Sequence, residues 1–411
     1  MGGAATGERK LVVLLAAVTF VNILDFMMVM PLGPDLARNL GIPLSQLGLL
    51  GGSYTAAAAI AGLVGSTFLD RFSRRIALAV AMVGLAGATA LGAAAQGMFS
   101  FIVTRIAAGC FGGPASALVF AIIADVIPPE RRGRAMGAVM GSFAFASIIG
   151  VPIGLELATF SGWRTPFLTV GAIGLIMAAL AITILPPLRG HLERGPQAPL
   201  RSIRSFLTDH NVLLAASATL VTFLGTFLWV PHIATYVQFN LGFAREKLGT
   251  LYMAGGAMAL VSMRLGGAWV DRSGPNRVTV LGSAVMVTTL AAAFLTTVPP
   301  VPIFVLFMGL MMGNSLRSVA LNTLASRVPP PAERARFMSI QSAIQHMAAA
   351  VGAVLSSALL SEGQAHHLVG MNTVAFVAIG LAFVQPFIMA SLATLVVGGG
   401  RPPGQLLQGS P

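Results

Sequence analysis

Seven ionisable side chains fall inside long apolar stretches of this sequence: Asp25, Arg105, Glu156, His232, Arg264, Arg317 and His346. In hydrocarbon such a group costs about 2.5 to 3.5 kcal/mol even on a lenient insertion scale, so each marks a candidate site. The chemistry open to them is narrow: an acid or imidazole takes up and releases a proton, and an arginine pairs with an acid or holds an anionic or carbonyl-bearing solute. Asp25 and Arg105 stand out. At a helical rise of about 1.5 Å per residue, Asp25 lies about 21 Å from the inner end of its apolar run and Arg105 about 9 Å from the outer end of its own, which in a core of about 30 Å is nearly one depth. An ion pair or a proton-linked couple follows, with Asn22 one turn below Asp25 on a similar face. In the second half of the chain Arg317 has Asn314 on the preceding turn, and Gln341, Gln345 and His346 cluster within two turns. These five, with Asn22, are the candidate lining of a solute cavity. Arg317 is open to two readings, solute contact or bracing between helices. Arg264 is expected to snorkel. Glu156 and His232 fall near the outer rim, where water is expected within reach.

The elements that must position these residues are membrane helices. The chain has 411 residues, of which 56% are hydrophobic and 9% charged, with a mean hydropathy of +0.85. An ordinary soluble domain carries about 25% charge, so a water-soluble globule is excluded. The runs are continuously apolar rather than alternating, which excludes an outer-membrane barrel. Twelve runs are legible, at roughly 11–36, 44–69, 76–96, 99–124, 134–158, 165–185, 212–239, 248–269, 277–298, 303–326, 337–360 and 371–397, each near the length a membrane helix needs. A polar stretch at 186–211 divides them into a six-helix bundle at 1–185 and a second at 212–411, which ends in a short tail. The first run is too long for a signal peptide and is expected to stay in the protein.

Charge placement orients the chain. With the N-terminus on the cytoplasmic side, 18 Lys and Arg fall in inside segments, 4 in outside segments and 3 within spans. The positive-inside rule then predicts both termini in the cytoplasm. The same distribution explains the net charge of +12 without nucleic acid as a partner. A single cysteine, Cys110, rules out an intrachain disulfide, and no Cys/His cluster suggests a metal. No nucleophile motif or phosphate-binding loop supports an enzyme, and no sizeable extramembrane domain supports a signalling receptor. No cofactor is expected.

The two halves repeat. Asp70-Arg71 after the second run corresponds to Asp271-Arg272 after the eighth, and Ile127-Pro128-Pro129-Glu130-Arg131-Arg132 after the fourth is echoed by Val328-Pro329-Pro330-Pro331-Ala332-Glu333-Arg334 after the tenth. Parallel repeats of six helices form transporters that alternate access between their halves.

On these residues the sequence resembles the major facilitator superfamily. The stretch Gly267 to Gly274 fits that family's loop signature of Gly, three residues, Asp-Arg, one residue, Gly; the copy at Ser66 to Arg75 keeps the charges with serine at both glycine positions. Arg105-Ile106-Ala107-Ala108-Gly109 resembles the Arg-x-x-x-Gly motif of proton-coupled drug exporters. Gly150-Val151-Pro152-Ile153-Gly154, followed by Gly162-Trp163-Arg164 and Phe167, is similar to the sugar-efflux and chloramphenicol-efflux branch of bacterial drug:proton antiporters. The resemblance implies an all-α fold of twelve transmembrane helices in two pseudo-symmetric bundles, in a bacterial inner membrane. It implies export of a drug, sugar or other small organic solute by proton antiport, the proton gradient supplying the energy. A uniporter or proton symporter for an anionic or lipid-like solute is the alternative. Asp25 and Arg105 would couple the proton. Asp70, Arg71, Arg74, Arg75, Asp271 and Arg272 would gate the cytoplasmic side by pairing across the halves, and Gly150, Pro152 and Gly154 would let the fifth span bend. Gly133, Gly137 and Gly141 share one face of that span, where close helix packing is expected. The expected partners are a small-molecule solute and the bilayer, with the chain a monomer.

Overall fold

The computed structural model describes residues 2–186, 208–296, 299–329 and 334–398. Lipid offers no hydrogen-bond partner, so each apolar run must satisfy its backbone internally, which only a helix does within one segment. Twelve spans result. Spans 1 to 4 are the helices Gly2–Met28, Leu47–Phe68, Arg74–Gly92 and Met98–Val126. Span 5 is two helices, Pro129–Phe145 and Val151–Ser161, joined by a wide π turn at Ala146–Gly150. Span 6 is Arg164–Ile184. Span 7 runs as a helix over His210–Trp229, tightens at Val230–His232 and ends in a π turn at Tyr236–Asn240. Spans 8 to 12 are Leu248–Ser273, Pro275–Phe294, Ile303–Ala325, Arg334–Leu359 and Met371–Gly398.

Two details depart from expectation. The first apolar run continues to residue 36, yet span 1 ends at Met28; Pro31 and the Gly33-Pro34 pair break it, and a separate short helix, Gly33–Leu40, follows. The connection between spans 11 and 12 also holds a two-stranded hairpin, with Ser361 opposite Val369 and Glu362 opposite Leu368. Gly162, at φ 85°, makes the sharp corner between spans 5 and 6, a conformation that L side chains rarely adopt. The 186–211 connection lies largely outside the described residues.

Within the first half spans 2 and 4, 3 and 6, and 1 and 5 pack together; within the second, spans 9 and 10, 7 and 11, and 8 and 10 do. The internal repeat extends to individual bonds. Ser142 on span 5 donates to the Ala16 carbonyl on span 1 at 2.8 Å, and about 200 residues on Gln341 on span 11 donates to Thr219 on span 7. Asn22 on span 1 likewise binds Gly112 on span 4, and Thr226 on span 7 binds Asn314 on span 10.

Across the halves, span 2 packs on span 11 and span 5 on span 8. With twelve crossings among the described residues, the start of span 1 and the end of span 12 lie on one face, called here the terminal side. On the opposite side the halves press together: a Cβ on Gly48 would run into the Ala353 carbonyl, and one on Gly249 would touch Pro152 at 3.6 Å. Toward the terminal side, Gly62, Gly133, Gly137, Gly141 and Gly267 have nothing within 4 Å of a would-be Cβ. The expected close packing of Gly133, Gly137 and Gly141 is therefore absent, because their face of span 5 lies where the halves are parted. The molecule is shut on one side and open on the other.

Candidate functional site

Asp25 and Arg105 meet as their depths predict. Arg105 Nη1 donates to Asp25 Oδ1 at 3.0 Å, and both side chains are fully buried. The Thr89 hydroxyl lies 2.7 Å from the same Oδ1 and 2.7 Å from the Leu85 carbonyl, so its single proton serves one acceptor at a time. Arg105 packs over the rings of Phe101 and Phe167, at 5.5 and 5.6 Å. Asp25 Oδ2 and Arg105 Nε and Nη2 have no partner among the described residues. Spans 1, 3, 4 and 6 thus enclose a charge pair in which one carboxylate oxygen carries both hydrogen bonds and the other carries none among the described residues.

One turn away, Asn22 ties three spans together. It accepts from the Tyr54 hydroxyl on span 2 at 2.7 Å and donates to the Gly112 carbonyl and Ser116 on span 4 at 2.8 and 3.0 Å. Tyr54 stacks on Phe26, and Phe26 in turn meets Phe227 of the second half, with ring centroids 5.3 and 5.8 Å apart.

In the second half Asn314 accepts from Thr226 at 2.9 Å and is half-buried. Gln341 is buried by its bond to Thr219. Gln345 and His346 are half-buried, and His346 Nδ1 donates to the Ser342 carbonyl at 2.8 Å, which leaves Nε2 as the acceptor nitrogen. Arg317 is fully buried and donates to Gln385 on span 12, while its stem lies against Gly282 on span 9. Spans 9 and 12 pack on each other. The Nε bond fits the bracing reading of Arg317, while its Nη2 has no partner among the described residues. Arg264 and Glu156 are exposed, whereas His232 is fully buried, correcting the expectation of nearby water.

On the terminal side Arg74 pairs with Asp125 at 3.3 Å and Arg75 donates to the Leu185 carbonyl at 3.4 Å, both within the first half. Arg71, Asp271 and Arg272 are exposed; the side chain of Asp70 is outside the described residues. Gly150 and Gly154 face span 1, with would-be Cβ atoms 2.7 Å from Leu24 and 3.2 Å from Met28, and Pro152 meets span 8.

Sequence reasoning missed the bonds that close the opposite side. Arg245, before span 8, donates through Nε to both oxygens of Asp35 at 3.0 and 3.2 Å, through Nη2 to the same carboxylate, and through Nη1 to Thr159 at 3.0 Å. The Leu44 amide donates to Glu362 Oε2 at 3.1 Å, and Glu362 Oε1 meets His366 at 2.5 Å. The His366 hydrogen bond holds the Glu362 carboxyl below the usual range. A signal was present: the opposite side has so few charges that an acid in one half and an arginine in the other are natural partners. Among the described residues no group of three or more His, Cys, Asp or Glu is placed to hold a metal.

The sequence matches the Major Facilitator Superfamily over residues 15–353. The chain belongs to that superfamily. Among relatives of this transporter, an uncharacterized MFS-type transporter of Bacillus subtilis, YtbD, is 25% identical, covering 79% of this chain and 81% of its own. A chloramphenicol resistance protein of Streptomyces lividans is 24% identical, over 85% and 88%. In fold, a bacterial homolog of the human lysosomal transporter Spinster, solved inward-facing and unoccupied, aligns with a TM-score of 0.75 at 15% identity, over 97% of this chain and 99% of its own. A D-xylose-proton symporter aligns at 0.75 and 18% identity, over 92% and 96%. This is an all-α, multi-pass membrane transporter of the twelve-helix, two-bundle type.

Proposed function

We propose that this transporter exports a small organic solute in exchange for protons, with Asp25 as the proton-carrying group and Arg105 as its counter-charge. The observation that carries the reading is the buried pair with one unpartnered carboxylate oxygen. A carboxylate in such a site is tolerated when paired or protonated, so its protonation can be linked to which side of the molecule is open. The chloramphenicol resistance relative supports efflux of a drug-like solute. The half-buried Asn314, Gln345 and His346, with Asn22 and Gln341 behind them, are proposed to line the solute path. The Nε bond from Arg317 to Gln385 supports bracing over solute contact, and so export over the anionic-solute symporter, with Nη2 left unpartnered among the described residues.

In this reading the protein sits in a bacterial inner membrane as a monomer with both termini cytoplasmic, and the open terminal side is the inward-facing form. Asp70, Arg71, Arg74, Arg75, Asp271 and Arg272 would meet across the halves when that side closes. The π turn at Ala146–Gly150, beside Pro152 and Gly154, is where span 5 would flex. The test is a proteoliposome assay under an imposed pH gradient, recording chloramphenicol or other solute flux together with proton movement. Solute flux with no accompanying proton flux would remove the exchange mechanism.

A further inference from the structure

His232 is a buried imidazole at the closed side, and proton exchange at Asp25 makes no use of it. It sits in the tightened turn Val230–His232 of span 7 and is fully buried. Its Nε2 lies 3.1 Å from Ser356 Oγ on span 11, and the Ser356 hydroxyl donates to the Ala353 carbonyl at 2.9 Å. A hydroxyl has one proton, so toward the ring Ser356 acts as an acceptor. Nε2 therefore carries the ring's hydrogen, Nδ1 is a buried nitrogen that makes no hydrogen bond among the described residues, and the Leu44 backbone is the other polar group beside the ring. The lid over this imidazole belongs to the other half: Gly48 of span 2 stands so close that a Cβ there would lie 3.1 Å from Nε2. Spans 2 and 11 are one of the two seams between the halves.

We propose that His232 is a second proton-binding site, unprotonated while spans 2 and 11 are closed and protonated from the opposite side once they part, so that acid on that side holds this gate open. The inference rests on the reading that the opposite-side contact is a gate. A proton on the ring of the closed form would be a charge sealed between Gly48 and Ala353, with the Leu44 backbone beside it but no carboxylate bonded to it and no water to solvate it. In the parted form water would solvate it. By linkage, a proton that binds the open form better shifts the equilibrium toward it.

The other titratable and charged groups around the seam are engaged elsewhere or exposed. On span 2, Tyr54 is committed to Asn22; before it, Asp35 is held by Arg245, and Arg38 is exposed. On span 7, Tyr236 donates to the Ala293 carbonyl at 3.3 Å. On span 11, His346 is bonded to Ser342, ten positions from Ser356. Beyond span 11, Glu362 reaches the Leu44 amide and His366, and His367 is exposed.

The size of the effect follows from a hydrated imidazole that titrates near about 6.5. Protonation then favours the open form by a factor of about 1.1 at about pH 7.5 and about 11 at about pH 5.5, a rise of roughly tenfold in the open-to-closed ratio. The experiment places spin labels at Arg38→Cys and His367→Cys in the full-length Cys110→Ser transporter, reconstituted in lipid, and reads the distance distribution at both pH values. The parent should show the roughly tenfold rise in the long-distance population, His232→Gln should flatten it, and Glu362→Gln and His366→Gln should retain it. A response that persists in His232→Gln, or vanishes in His366→Gln, overturns the proposal. A distance that opens without regard to pH overturns the role of His232 alone, whereas one that stays short under all conditions overturns the gate itself. If the Gln variant fails to fold, diethyl pyrocarbonate labelling of His232 in the parent decides: modification must track the long-distance population, and labelling independent of it overturns the assignment.

Discussion

Asp25 has two unlike oxygens: Oδ1 holds Arg105 and Thr89, and Oδ2 holds nothing. If the free oxygen is the proton site, Asp25→Asn imitates the protonated form permanently. Solute movement driven by a pH gradient should then disappear, while solute binding measured by calorimetry and the yield of folded protein persist. Loss of folded protein instead would mean a structural pair, since an unpaired buried arginine costs about 3 to 5 kcal/mol. Arg317 calls for the reverse outcome. Arg317→Ala strands Gln385 and empties a buried volume, so thermal unfolding should register a loss of about 2 to 4 kcal/mol with little change in the apparent solute constant. The different fates of these two arginines mark the limit of sequence reasoning at this scale. Counting 1.5 Å per residue gives height along a helix, which sufficed for Asp25 and Arg105 because spans 1 and 4 are neighbours. It gives no azimuth, and azimuth turns Arg317 toward spans 9 and 12.

In the proposed cycle span 5 takes two arrangements, of which the structure holds one. Its opposite-side half is in contact with span 8 through Pro152, while Gly133, Gly137 and Gly141 on the terminal-side half face open space. Gly137→Phe should therefore leave the melting temperature within about 1 °C and abolish transport by blocking terminal-side closure; a normal rate in proteoliposomes would remove the glycines from that closure. Sequence periodicity identified the stripe but not its emptiness, because a surface that packs in only one conformation carries the same residues in both. The elements that close the other side left a signal in their scarce charges but none in periodicity, since Asp35 and Arg245 are 210 positions apart in short segments. Asp35→Asn should weaken that closure by about 1 kcal/mol, given its partial exposure, and raise the open population about fivefold in the same label-distance measurement. The Glu362 bond to the Leu44 amide adds a pH dependence of opposite range to that of an imidazole. Its carboxyl is held below its ordinary value of 4.5, so the contribution is complete above that value and fades as pH falls through the lower folded-state value. In His232→Gln protein, closure should therefore be constant from about pH 7 down to about pH 5 and weaken only below 4.5.

At the scale of the whole molecule, twelve runs, the six-plus-six division and the repeated Asp-Arg loops were enough to reach the architecture, because bilayer thickness and backbone satisfaction leave a continuous apolar run one solution. What composition does not encode is which of two faces is shut, since both states use the same helices. The seam is confined to two helix pairs, spans 2 and 11 and spans 5 and 8, and it is closed at one end only. A contact that must be broken in every cycle cannot be what holds either bundle together, so each half has to be stable by itself. That has a consequence for biogenesis. Residues 1–186 should reach their final packing while the ribosome is still making the remainder, and the two halves, translated from separate messages and joined by no peptide bond, should find each other in the membrane and restore transport.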